Sequence, residues 1–122
     1  MVTAVTSFGR SGLSDWLLQR FTALILLAYT FCLAGYLLMH PGLDYLTWAG
    51  FMRLGAMKVF SLMALLSIVV HAWIGLWSVS TDYLTVRLMG PKATALRILF
   101  QGGCALLLFA YLIWGIDILW GV

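Results

Sequence analysis

Charge is what this sequence has least of. Of its 122 residues, 7 are Lys or Arg and 4 are Asp or Glu, so 9% are charged. An ordinary soluble domain carries about 25%. With so few ionised groups the chain could not cover a globular surface in water. Strict apolar–polar alternation is also missing, and the apolar runs are few, which excludes a membrane barrel of strands. There is no CxxC and no Cys/His cluster, so neither a zinc nor an iron–sulfur site is encoded. The 2 cysteines, Cys32 and Cys104, lie inside apolar runs and read as small buried fillers. No repeat and no low-complexity tract is visible. A cleavable signal is not expected, because Met1 to Asp15 is polar and the run after it is too long for a signal core.

What is present is hydrocarbon. The apolar fraction is 64% and the mean hydropathy +1.06. Three long apolar runs stand out: Trp16 to Met39, Val59 to Ser80 and Ile98 to Trp120. Each reaches the roughly 20 residues needed to cross a hydrocarbon core. The expected fold is therefore an all-α integral membrane protein, one domain over 1–122. Its spans should cover about 16–39, 57–80 and 96–120, with a loop at 81–95. Ser14 and Asp15 suit a helix start. Pro41-Gly42 should end the first helix just after His40. Leu43 to Arg53, with Tyr45, Trp48 and Phe51, suits an interfacial helix or an early start of the second span. Gly102, Gly103 and Ala105 form a small patch on the third span suited to close packing.

The positive charges set an orientation. Arg10, Arg20, Arg87, Lys92 and Arg97 fall on one side, Arg53 and Lys58 on the other. The excess places the N-terminus and the 81–95 loop in the cytoplasm and the C-terminus outside.

The second span carries the chemistry. His71 lies near its middle, where an ionisable side chain is costly. Ala64, Ser67, His71, Gly75, Ser78 and Asp82 share one helical stripe, small except at the histidine and the terminal acid. Small neighbours leave room for a flat group such as a haem, with an imidazole nitrogen on its iron and Gly75 admitting the macrocycle. Small residues serve equally at a plain helix contact, where His71 would hydrogen-bond a neighbouring helix. No second histidine lies at matching depth, since His40 is at the far end of the first span. A bis-histidine haem would thus need another chain. Asp82-Tyr83 lies about 16 Å further along the helix. The pair can be a helix end with a belt tyrosine. It can also be a hydroxyl donor beside a carboxylate, suited to a quinone carbonyl.

The run His71-Ala-Trp-Ile-Gly75 followed by Thr81-Asp82-Tyr83 resembles the small hydrophobic membrane-anchor subunit of succinate dehydrogenase (complex II), of the bacterial cytochrome b type with two anchor chains. The resemblance extends along the chain. It takes in Ser11-Gly-Leu-Ser-Asp15 before the first span, Arg20 one turn inside it, Lys58-Val-Phe60 opening the second, and the Trp120-Gly-Val end.

The resemblance implies that His71 is one axial ligand of a haem b, the other coming from the larger cytochrome b anchor subunit. It implies that Tyr83 hydrogen-bonds ubiquinone with Asp82 beside it, and that Arg20 lies near the haem propionates and the quinone site. It places FAD and the iron–sulfur clusters in a flavoprotein and an iron–sulfur subunit. This chain would sit in the bacterial inner membrane, in contact with lipid and quinone and not with nucleic acid. It would not be catalytic alone but would serve succinate:quinone electron transfer in the tricarboxylic acid cycle. An anchor of another haem b quinone oxidoreductase, such as fumarate reductase, shares these features. A small proton-relay or transport protein would want more polar residues along the His71 stripe than Gly75 and Ser78 provide.

Overall fold

The computed structural model describes residues 12–121. Five α-helices follow one another: α1 (Gly12–Met39), α2 (Tyr45–Met52), α3 (Gly55–Tyr83), α4 (Val86–Met89) and α5 (Ala93–Trp120), with a single 3-10 turn (Gly90–Lys92) between the last two. Three of them, α1, α3 and α5, are long and apolar enough to cross a membrane. In hydrocarbon every backbone N–H and C=O must be satisfied within the segment, and an unbroken helix does this. The three are 28, 29 and 28 residues long. At 1.5 Å per residue each extends about 42 Å, beyond a core of about 30 Å. The helices therefore overrun the spans expected from hydropathy at both ends of α3 and at the starts of α1 and α5. Hydropathy marks where the side chains meet lipid, whereas hydrogen bonding carries the helix on through the interface.

Ser14 and Asp15 lie at the start of α1 as described from Gly12, with Asp15 the acidic residue of its first turn. One local expectation changes. Thr81 to Tyr83, expected in the loop, are the last residues of α3. Pro41-Gly42 does follow the end of α1, and Gly42 takes φ +76°, a conformation that favours glycine. The interfacial helix forms as α2, separate from α3. Asp44 caps it by accepting the Thr47 N–H at 2.8 Å. It is held to the end of α1 by aromatic stacking, with the Tyr36 and Phe51 rings 3.8 Å apart and nearly parallel.

The helix α3 is central, packing on α1 along one side and on α5 along another. It supplies most of the buried side chains: Met57, Ser61, Ala64, Ser67, Ile74 and Ser80. Both contacts are antiparallel. Tyr29 faces Ser61 and Thr22 faces His71 across α1–α3. Gly115 faces Leu65 and Gln101 faces Ser80 across α3–α5. The outer faces of α1 and α5 leave large apolar groups such as Leu24, Phe31, Leu106 and Phe109 exposed. Gly102 and Gly103 have open space where a Cβ would stand, so within the chain they pack against nothing. The close approach falls at Gly115, where a Cβ would come within 2.7 Å of the Leu65 side chain.

Candidate functional site

His71 lies midway along α3 and is half-buried against α1. Its Nδ1 is 3.2 Å from the Thr22 hydroxyl. Thr22 is only 4% exposed, so water does not compete for this contact. Its hydroxyl also donates to the Leu18 carbonyl at 2.7 Å, the usual way a threonine is satisfied inside a helix. Sequence reading missed Thr22. Its signal was weak: a small polar residue in an apolar run, whose meaning depends on which helix faces it.

The small stripe around His71 divides in the structure. Ala64 and Ser67 are buried within the chain, so the stripe above the histidine is taken up by the protein's own helices rather than left open for a flat group. Gly75 differs. A Cβ there would lie 3.6 Å from Gln19 Nε2, an ordinary contact, so packing on α1 does not itself require glycine. Two other buried polar atoms near this level, Gln19 Oε1 and Trp77 Nε1, have no hydrogen-bond partner among the described residues.

Arg20 follows Gln19, which places its backbone at a depth between Gly75 and His71. Its side chain is exposed on the isolated chain, and its guanidinium stands over the Trp16 ring, 5.4 Å from the centroid. Trp16 is one turn nearer the N-terminus, so the charge reaches along α1 toward the α3 end that bears Asp82 and Tyr83.

Asp82 and Tyr83 are exposed at that end of α3, Tyr83 at 64%. Their backbone is held from α5. Arg97 donates through Nε and Nη2 to the Leu84 carbonyl at 3.3 and 2.9 Å. Gln101 Nε2 donates to Ser80 Oγ at 2.8 Å, and that hydroxyl donates to the Trp77 carbonyl. Ser80 is fully buried. Gln101 and Ser80 were not foreseen, since neither residue type marks a site by spacing.

The structure thus brings His71 and Arg20 to neighbouring depths and sets Asp82 and Tyr83 at the helix end, about 16 Å from His71 along the axis. A cavity of about 240 Å³ lies at the opposite end, between Trp48, Arg53, Lys58 and Leu119, away from all of them. Among the described residues no three His, Cys, Asp or Glu side chains cluster as a metal-binding group.

Three apolar helices with polar groups gathered at helix contacts and helix ends define a multi-pass integral membrane protein. No protein-family model matches the chain. The succinate dehydrogenase hydrophobic membrane anchor subunit of Coxiella burnetii (strain RSA 493 / Nine Mile phase I) is 36% identical over 111 residues, covering 91% of this chain and 90% of that one. The chain belongs to the family of succinate dehydrogenase hydrophobic membrane anchor subunits.

Proposed function

We propose that this anchor supplies one axial ligand of a haem b through His71 and part of a ubiquinone-reduction site through Asp82 and Tyr83. The complex would be a succinate:quinone oxidoreductase. The observation that carries the reading is the likeness to a succinate dehydrogenase anchor over 91% of the chain. The donor set fits a shared haem. One mid-span imidazole has Nδ1 engaged with Thr22, which leaves Nε2 for a metal. A single histidine at this depth, with His40 at the far end of the first span, calls for a second from the larger cytochrome b anchor subunit.

When bound, the haem supplies one-electron chemistry at a potential tuned by its axial ligands. The chain's own residues hold and orient. His71 would offer Nε2 from a helix fixed on both sides. Arg20 would give the propionates a positive partner from the flank of α1. Tyr83 would donate its hydroxyl proton as a hydrogen bond to a quinone carbonyl oxygen, with Asp82 beside it for proton exchange with water. Exposure of the pair on the isolated chain suits a pocket completed by partner subunits, here an iron–sulfur subunit docked below a flavoprotein. The N-terminus and the α4 loop would face the cytoplasm of a bacterial inner membrane, as the five cations there favour.

The test is a reduced-minus-oxidised optical spectrum of the purified complex, wild type against His71→Ala. A b-type signal lost or altered in the variant is expected. An unchanged spectrum would remove His71 as ligand and leave it a packing histidine. A wild type without haem would leave a haem-free anchor.

A further inference from the structure

The Thr22–His71 contact has a direction that its other hydrogen bond determines. A threonine hydroxyl has one proton and two lone pairs. Thr22 Oγ1 lies 2.7 Å from the Leu18 carbonyl and 3.2 Å from the Gln19 carbonyl. Carbonyls only accept, so the proton is drawn to the shorter of these contacts. Toward His71, 3.2 Å away, the oxygen then has only lone pairs to offer. A hydrogen bond there requires the proton to sit on Nδ1. The alternative tautomer would set a bare nitrogen against an oxygen whose proton points elsewhere, in a contact closed to water.

We infer that Thr22 is a positioning residue for His71: its hydroxyl accepts the Nδ1 proton, fixes the tautomer with a free lone pair on Nε2, and holds the ring plane. The inference deepens the haem reading and rests on it. The chain of donors runs from imidazole to hydroxyl to backbone carbonyl, each bond polarising the next. An imidazole that donates in this way is a stronger metal ligand and favours the oxidised iron. The acceptor belongs to α1 and the ligand to α3, so the helix pair itself sets the ring's orientation. Leu18 lies in the helix interior, and its carbonyl stays in place whichever side chain occupies position 22.

The experiment uses the whole complex with Thr22→Val, Thr22→Ser and Thr22→Cys, and His71→Ala as control. The readings are haem content, a potentiometric titration of the haem and low-temperature electron paramagnetic resonance of the ferric form. Thr22→Val keeps the shape and removes the acceptor. At a fixed potential its oxidised-to-reduced ratio should fall by roughly 3- to 10-fold, the effect of one hydrogen bond, and the resonance should shift as the ring turns. Thr22→Ser restores both readings to wild type. If Thr22→Val fails to assemble, Thr22→Cys decides, since its sulfur is a weak acceptor and should move both readings the same way. Wild-type potential and resonance in a haem-loaded Thr22→Val or Thr22→Cys overturn the inference. Should His71→Ala leave the wild-type haem signal unchanged, the haem reading itself falls, an outcome distinct from a silent Thr22.

Discussion

The Arg97 guanidinium donates two hydrogen bonds, of 2.9 and 3.3 Å, to the carbonyl of Leu84, the residue that caps α3. The last carbonyls of a helix have no partner within it. Here the partner comes from the next spanning helix. The Leu84 N–H closes back on the Ser80 carbonyl at 3.0 Å, and Gln101 bonds the Ser80 hydroxyl. Thus α5 grips the final turn of α3 on both sides of Asp82 and Tyr83. Side chains that look loose on the isolated chain stand on a backbone that is not.

On the proposed function, removing the grip should therefore disturb quinone reduction at the Asp82–Tyr83 end and leave the proposed haem ligand His71 alone. Arg97→Ala is expected to raise the KM for quinone by about 10-fold, the usual order for losing charged hydrogen bonds. The haem spectrum should stay at wild type, because His71 lies three turns away. Arg97→Lys should recover part of the loss, as one ammonium replaces two aligned donors. Steady-state quinone reduction beside the optical spectrum checks both halves. An unchanged KM would show that the Asp82–Tyr83 end is held by something other than α5.

A second prediction concerns the other face of α3. The Tyr29 hydroxyl and Ser61 Oγ lie 2.7 Å apart, an inter-helix bond inside the spans with Ser61 buried. The Tyr29 ring also meets Phe60 edge-on, at 5.1 Å. A double-mutant cycle with Tyr29→Phe and Ser61→Ala should give a coupling of about 0.6–1.7 kcal/mol, the range for such bonds in membrane helices. Thermal stability of the detergent-solubilised complex is the readout. Additive effects would mean that each hydroxyl has another partner.

The legible part of this protein was the part that lipid dictates. Three long apolar runs, broken by few polar residues, admit only helices, so the spans could be read without knowing their neighbours. The turn at Pro41-Gly42 was legible because it rests on local backbone chemistry. The aromatic segment around Trp48 was half legible: its composition fits an interfacial helix, but neither residue at the break from α3, Arg53-Leu54, is a turn residue, and Leu54 leaves the helical conformation there. At the candidate site, His71 stood out because an ionisable group is rare in a span, and Asp82–Tyr83 because a carboxylate and a hydroxyl adjoin at its end. Thr22, Gln101 and Ser80 did not, since each acts through a residue on another helix. The small stripe misled in part for the same reason. Periodicity showed that Ala64 and Ser67 share a face with His71 but not that the chain's own helices bury them. Gly102-Gly103 meet nothing within this chain, where the tight helix contact is at Gly115, a lone glycine with no motif around it.

Asp44, outside the spans, gives a pH prediction. Bonds from Thr47, through its side chain and its N–H, hold the Asp44 carboxyl below its ordinary value of 3.8. A carboxyl depressed in the folded state adds stability above its unfolded pKa and loses it as pH falls through the lowered folded value. The cap of α2 should thus be intact at neutral and mildly acidic pH and fail only below 3.8. Amide exchange at Thr47 should be several-fold faster in Asp44→Ala than in wild type at pH 7, and the difference should close in strong acid. Asp44→Asn, which still caps, should lose the pH dependence and keep the protection. Equal exchange in Asp44→Ala and wild type at pH 7 would show that the aromatic stack with Tyr36 alone holds α2.

The crossing of α3 and α5 offers the sharpest steric test. A Cβ at Gly115 would stand 2.7 and 2.8 Å from the two Leu65 methyls and 3.4 Å from Cγ. All of these are the far end of a flexible side chain. Gly115→Ala should therefore be tolerated, with Leu65 turning aside. Gly115→Val is a larger intrusion and should cost about 1–3 kcal/mol, the usual order for overpacking. Leu65→Ala opens the space that the valine needs, so the double variant should be more stable than the sum of the single effects. Gly102→Ala and Gly103→Ala meet nothing in this chain and should leave its own packing intact. Thermal unfolding of the assembled complex separates the cases. Additivity between positions 65 and 115 would disprove the contact. Destabilisation at Gly102 or Gly103 as large as at Gly115→Val would instead locate a partner subunit's helix against that face of α5.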